Sequence, residues 1–401
     1  MRAAVLMFLA AQTVFAAPLE IQVTLVDGEA IGYATFQSHN QKVLANTHGI
    51  FMTHIRSRNE AYTAQQWRLS RSTDGGETFS TVYEATHGTN PPVIETDVAG
   101  NVYLMRADYV DGNAYLYRFF ADRNFADPEV SVVPGAAAGK YAMAIDEARG
   151  VLYFFAHNNT FSVVGLDGVV RSSINLTQEG PDAYIQYPHL ALDAEGTLHA
   201  PWTTQKKDRY LYWDILHIQS PDGGATWQTM QGAAIAPPVL ADQHGPATLI
   251  SSRDENDAHT WLSGFMAKGG KAHFFYMAQT EPRREHYIRY DIATGNREID
   301  TNPEFKGDQL EIQSLDGFFT TRDLTAETPL YALGAFQGII VCLISRDNGA
   351  TWHDYAQSGT AYNVYALSGF RRLTADGYII GSFTDSGASP SKVYFVKVKA
   401  E

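Results

Sequence analysis

Ser72-Thr73-Asp74-Gly75-Gly76-Glu77-Thr78-Phe79 recurs as Ser220-Pro221-Asp222-Gly223-Gly224-Ala225-Thr226-Trp227 and again as Ser345-Arg346-Asp347-Asn348-Gly349-Ala350-Thr351-Trp352. The shared S-x-D-x-G-x-T-[FW] pattern is that of a tight turn between two strands. Its Ser and Asp oxygens can bond the turn's own amides, its glycine tolerates positive φ, and its aromatic residue can bury itself beneath the hairpin. A structural hairpin accounts for every residue of the motif, so it speaks for fold and not for chemistry.

Around these turns a longer pattern recurs: a short apolar strand, a turn ending in glycine, then a second apolar strand. It covers Val43–Ile55 around Gly49, Val93–Met105 around Gly100, Met143–Phe155 around Gly150, Leu190–Trp202 around Gly196, Trp261–Tyr276 around Gly270 and Tyr365–Phe383 around Gly377. A seventh copy, without the glycine, runs from Phe318 to Phe336 through Thr325-Ala326-Glu327-Thr328. Gly49, Gly100, Gly150 and Gly196 are separated by 51, 50 and 46 residues. A unit of that size holds one four-stranded blade, and radial repetition protects the sheet edges. The expectation is an all-β chain with few helices, a single seven-bladed β-propeller over residues 18–401. The eight-residue motif is similar to the Asp box of sialidase-like β-propellers, which implies the same fold.

The chain has 401 residues, 44 acidic against 30 basic, for a formal charge of -14. That balance, with no basic tail, is a poor match for phosphate backbones and argues against nucleic acid as a partner. A hydrophobic content of 45% and an aromatic content of 12% support a large core and exclude intrinsic disorder. Cys342 is the single cysteine, so neither an internal disulfide nor a thiolate zinc cluster can form. Residues 1–17 read as a secretory signal: Arg2 supplies the positive end, Ala3 to Ala11 the apolar run, and Phe15-Ala16-Ala17 the small residues before cleavage. That run falls short of the ~20 apolar residues that span a bilayer, and no other stretch reaches it. The expectation is a secreted monomer, extracellular or, in a bacterium, periplasmic, without membrane attachment. The sequons Asn158-Asn159-Thr160 and Asn175-Leu176-Thr177 would accept glycans in a eukaryotic host.

In each hairpin the first strand starts, and the second finishes, at the end away from the tip. Strand starts offer His39-Asn40-Gln41, His87 with Asn90, Lys140-Tyr141, Gln186-Tyr187 and His259. Strand ends offer Arg56 and Arg58, Arg106 with Asp108, His157-Asn158, Gln205-Lys206 and Gln279. This mouth is rich in basic and hydrogen-bonding groups although the protein is acidic, which implies an anionic ligand such as a carboxylated sugar. His199, His217 and His273 lie within apolar runs and read as packing histidines. Trp67, Tyr115, Tyr117, Tyr210 and Tyr212 could serve as sugar platforms, although most should be strand core.

A sialidase would carry an [FY]-R-I-P tetrapeptide before its first boxes, and none occurs. A glycosidase needs two carboxyl groups about the scissile bond, and the mouth offers few, Asp108 and Asp385. β-Elimination at a uronic acid suits the groups better. It takes the proton at C5, expels the group at C4, and needs a cation for the developing enolate, a base titrating near working pH and an acid for the leaving oxygen. Histidine fits the base, Tyr or the same His the acid, and Arg the carboxylate clamp.

His87-Gly88-Thr89-Asn90-Pro91-Pro92, continuing through Gly100-Asn101-Val102-Tyr103, resembles the histidine-bearing blade of the seven-bladed ulvan lyases of polysaccharide lyase families 24 and 25. Tyr187-Pro188, followed by Asp193 and Gly196, resembles their tyrosine-bearing blade. Over most of its mature length, including Ser38-His39-Asn40-Gln41-Lys42 and Tyr210-Leu211-Tyr212-Trp213-Asp214, the chain more closely resembles polysaccharide lyase family 42. Those are L-rhamnose-α-1,4-D-glucuronate lyases related to glycoside hydrolase family 145. The resemblance implies removal of terminal rhamnose from glucuronate on arabinogalactan-type glycans. It assigns His87 as base, and also as a candidate acid, with Tyr187 as second proton-transfer residue. Where the ulvan lyases have a second histidine, this chain has Arg106 and Asp108, and their arginine after the Tyr-Pro strand has no exact counterpart, Thr203 to Lys206 occupying that region with Arg209 further on. Arg106 ranks first for the carboxylate clamp, then Arg209 and Lys140. The remaining candidate substrate ligands are Asn90, His157, Gln205, His259, His39 and Arg56.

Three alternatives compete. One is an α-L-rhamnosidase on the opposite face, with His48 at a hairpin tip as its catalytic residue; the others are an ulvan lyase and a carbohydrate-binding propeller without turnover. No H-x-x-x-H pair or acidic calcium loop occurs, so no cofactor is expected, and a structural divalent cation such as Ca2+ would have the propeller channel as its place.

Overall fold

Short β-branched and aromatic runs broken by glycine turns satisfy their backbone groups by pairing with one another. The computed structural model, which describes residues 18–37, 40–61, 63–88, 90–107, 111–251, 258–280, 284–310 and 317–401, is built of such pairs. The expected signal at 1–17, and His39 and Asp108 at the mouth, lie outside the described residues. Among those described there is no α-helix; a 3-10 turn at Ala121–Arg123 is the only helical element. Among the described residues no helix is long and apolar enough to cross a membrane.

Each expected hairpin is formed. Val43–Asn46 pairs with Gly49–Ser57, Val93–Thr96 with Val102–Ala107, Tyr141–Asp146 with Val151–Ala156, and Ala191–Leu192 with Leu198–Lys206. Thr260–Lys268 pairs with Lys271–Ala278, Phe318–Thr321 with Leu330–Phe336, and Val364–Gly369 with Tyr378–Asp385. Further antiparallel strands extend them outward. The unit opening at Val93–Thr96 continues through Asn113–Phe119 to Glu129–Pro134, whose exposed Val130 and Val132 mark an outer edge. Such meanders are propeller blades, and the chain is an all-β propeller.

The first described strand, Leu19–Ala30, lies antiparallel to Ser391–Lys399 in the register Val23↔Val396. Its end reaches the opening unit through Ala30↔Arg56. The two ends of the described chain are thereby stitched together without a disulfide. Cys342 is buried in Ile339–Ser345, and burial pushes its thiol far up, so it behaves as an apolar side chain.

The three repeated octapeptides adopt one geometry. Ser72, Ser220 and Ser345 hydroxyls donate to Asp74, Asp222 and Asp347 at 2.7, 2.9 and 2.8 Å. The same hydroxyls accept the amides of Gly76, Gly224 and Gly349 at 2.8, 2.7 and 2.7 Å. These glycines face an aromatic ring of the adjoining blade: Phe395, Phe161 and Tyr287 respectively. At Gly349, with φ +82, a Cβ would lie 1.8 Å from the Tyr287 hydroxyl and 3.0 Å from His273 Nδ1. The motif therefore sets blade-to-blade packing as well as its own turn. Gly349→Ala is expected to cost about 2–4 kcal/mol from overpacking and positive φ, read as a lowered urea midpoint at unchanged slope.

Candidate active site

Lys140 precedes the strand Tyr141–Asp146 and His157 follows Val151–Ala156, so antiparallel pairing sets them side by side. The His157 amide donates to the Lys140 carbonyl at 2.9 Å, and the Lys140 amide to His157 Nδ1 at 3.3 Å. Lys140 Nζ reaches the next blade, where it donates to Gln186 Oε1 and stands 4.4 Å from the centre of the Tyr187 ring. Tyr187 gets there by a bulge: the register shifts between Gln186 and Pro188, and Tyr187 takes φ +23. A bulge re-aims a side chain, and positive φ at an aromatic residue costs about 1–3 kcal/mol, the kind of strain that clusters at functional sites.

The Tyr187 hydroxyl is 3.2 Å from that of Tyr212, whose ring lies 5.5 Å from Lys140 Nζ. Tyr210 donates to the Tyr212 hydroxyl at 3.3 Å. The Tyr212 amide donates to His259 Nδ1 at 3.1 Å, and His259 stacks on Trp261 with centroids 4.9 Å apart. On the other flank, Asn90 Nδ2 donates to the Gly139 carbonyl at 3.0 Å. An arc thus runs from Asn90 through Lys140, His157, Tyr187 and Tyr212 to His259. None of its members carries a carboxylate.

Burial sets the charges. It draws the Lys140 ammonium down to about 8 and, together with the Lys140 charge, His157 down to about 4. Burial pushes the Tyr187 phenol well up, and does the same to Tyr212. At neutral pH the arc therefore offers one cation, neutral imidazole and protonated phenols. Lys140 over the Tyr187 ring favours negative charge developing on that oxygen.

The other candidates fall in different places. His87 is exposed, with Nδ1 3.2 Å from Thr86 Oγ1. Its loop meets the arc through Asn90, and on its other side Arg58 donates to the Thr86 carbonyl. Gln205 lies opposite Tyr184 and Tyr212 in register, at the edge of the arc, and Arg209 is exposed beside Tyr210. Arg106, first in the sequence ranking, is buried with its guanidinium 4.9 Å from the Tyr115 ring in its own blade, whereas third-ranked Lys140 occupies the arc. Arg56 is ion-paired with Glu29 and with Asp27, the latter at 3.7 Å, and lines a cavity with Arg58, Arg68 and Glu84. His48 is half-buried at its hairpin tip, edge-on to Phe125 at 5.6 Å and against Gly100. A cavity of about 320 Å³ is lined by Glu95, Asp193, Phe370 and Arg371 among others, and His48 is not part of its wall.

His199, His217 and His273 are fully buried, as packing residues are. Trp67 and Tyr212 are buried too, but Tyr210 is 70% exposed. Sequence reasoning missed Gln37, whose Oε1 accepts the Tyr141 amide at 3.1 Å and whose Nε2 donates to the Gly139 carbonyl. It has φ +68, and nothing in its neighbours announces that. Among the described residues, no group of three or more His, Cys, Asp or Glu side chains is placed to hold a metal ion.

No family model matches the sequence, and no curated protein matches it. In structure the chain is similar to an ulvan lyase of polysaccharide lyase family 25, with TM-score 0.62, 10% identity and 94% of each chain covered. The same enzyme bound to -[GlcA(1-4)Rha3S]- gives TM-score 0.61 at 10% identity over 94% of each chain. BBS1N in complex with ARL6DN gives TM-score 0.51 at 11% identity, over 94% of this chain and 97% of that one. At such identities the likeness is one of fold.

Proposed function

We propose that the protein is a secreted polysaccharide lyase that removes terminal L-rhamnose from α-1,4-linked D-glucuronate by β-elimination. One observation carries the reaction class: an ammonium group standing over a buried phenol, in an arc that holds no carboxylate among the described residues, at the strand-end face of a propeller. A glycosidase would need a carboxyl pair there. In this reading Lys140 neutralises the uronate carboxylate, His87 takes the C5 proton and Tyr187 protonates the leaving oxygen. The choice of rhamnose and glucuronate rests on the resemblance to family 42 of most of the mature chain, including the motifs around His39 and Tyr210. Asn90, His157, Gln205 and His259 are proposed as hydrogen-bonding walls. The reading requires no cofactor.

The test is digestion of a rhamnose-capped glucuronate glycan with two readouts, ultraviolet absorbance and released rhamnose. A lyase creates a conjugated unsaturated uronate, so both rise together. Rhamnose without absorbance would point to hydrolysis, and neither signal to a binding protein.

The state of Lys140 gives this reading a pH dependence. Its ammonium form is present below about 8 and is lost as pH rises through that value, so kcat/KM should fall on the alkaline side. Lys140→Arg, whose guanidinium stays charged, should move that limb upward in a pH–rate profile. An unmoved limb would assign the carboxylate to another cation.

A further inference from the structure

The hydroxyls of Tyr210, Tyr212 and Tyr187 form a chain from the surface inward. Tyr210, 70% exposed, donates to the Tyr212 hydroxyl, so the proton of Tyr212 is available to Tyr187 across 3.2 Å. Each phenol has one proton to give. Ordered in this way, the chain leads from solvent to Tyr187. Tyr187 and Tyr212 are both 4% exposed, so Tyr187 has little direct access to water. Packing alone does not call for these hydroxyls. The edge contact between the two rings, with centroids 5.3 Å apart, would be served as well by phenylalanine.

We infer that Tyr212 and Tyr210 form a relay that returns a proton to Tyr187 after each turnover; the inference rests on the lyase reading above. During elimination the C5–H bond breaks and its proton passes to His87. The C4=C5 bond forms, the C4–O bond breaks, and Tyr187 gives its proton to the leaving oxygen. The resulting phenolate takes a proton from Tyr212, Tyr212 from Tyr210, and Tyr210 from water. His87 gives its proton to the hydroxide so formed, and the enzyme is restored with no net proton consumed. Tyr212 and Tyr210 act through Tyr187 and do not touch the sugar. The hydroxyl separations are long for O–H···O bonds and shorten as charge develops on Tyr187.

Stopped-flow absorbance with Tyr212→Phe and Tyr210→Phe tests this, since both variants keep the rings. Each enzyme starts with Tyr187 protonated, so the first turnover should keep the wild-type rate. Later turnovers should slow about 10–100-fold, with KM falling in proportion so that kcat/KM holds, giving a burst of one product per enzyme. A small acid such as imidazolium buffer should restore the steady rate of Tyr212→Phe. If first and later turnovers slow equally, Tyr212 only positions Tyr187 and the relay is overturned. It is overturned as well if neither variant slows at all. If wild-type protein forms no unsaturated product, it is the lyase reading that fails, and the relay with it.

Discussion

Tyr187→Phe is expected to lower kcat about 10²–10⁴-fold, the range for a lost general acid. The substitution is informative because it keeps nearly everything else. The ring that supports Lys140 at 4.4 Å remains, as does its edge contact with Tyr212. Only the hydroxyl, 3.2 Å from that of Tyr212, is removed. Burial holds the Tyr187 phenol well above its usual range, so it is protonated at neutral pH and suited to donate rather than accept. KM should stay near wild type, because in the proposed reading Lys140 would still meet the carboxylate. A Tyr187→Phe enzyme retaining more than about a tenth of wild-type kcat would move the acid role elsewhere, His87 first.

Asp27→Ala should cost about 3–5 kcal/mol of folding stability, the loss seen when a buried ion pair is deprived of one partner. Asp27 has 7% side-chain exposure and accepts from His54 Nε2 at 3.1 Å and from the Glu29 amide at 2.9 Å. Arg68 and Arg56 stand 3.3 and 3.7 Å from the same carboxylate. Removing it leaves the buried His54 imidazole without its acceptor where the first described strand is stitched to the opening unit, while Arg56 and Arg68 keep Glu29 and Glu84 as partners. Burial by itself would raise the Asp27 carboxyl, but the His54 hydrogen bond and the charges of His54, Arg56 and Arg68 outweigh it and hold it below the usual range. The sign follows. This contribution is complete above the unfolded value near 4 and is lost as pH falls through the lower folded value. Urea unfolding of wild type and variant at neutral pH measures the loss directly; a difference under about 1 kcal/mol would mean that strand pairing alone holds the closure.

Turns and strands were legible in the sequence because they are local. The glycine-tipped hairpins and the three Ser/Asp turns are written within about a dozen residues each, and every one is formed. The chemistry of the mouth was legible by type, since strand starts and ends supplied Lys140, His157, Tyr187 and His259 to the arc. Its ranking was not. Arg106 and Lys140 both sit at blade strand ends, and only packing against Tyr115 in one case and Tyr187 in the other separates them. The ion pairs of Arg56 are not legible, because its partners Asp27 and Glu29 arrive from a strand whose pairing is set by residues near 396. The bulge that aims Tyr187 also lies outside what composition reveals, since positive φ at a tyrosine is imposed by the surrounding sheet.

The central claim is bond breakage by elimination, and the mass of the uronate fragment tests it most directly. Digestion of a rhamnose-glucuronate disaccharide in oxygen-18 water should release rhamnose and a uronate one water lighter than glucuronic acid, carrying no solvent oxygen. A full-weight glucuronic acid, with or without label, would contradict the account and show that the propeller hydrolyses the bond.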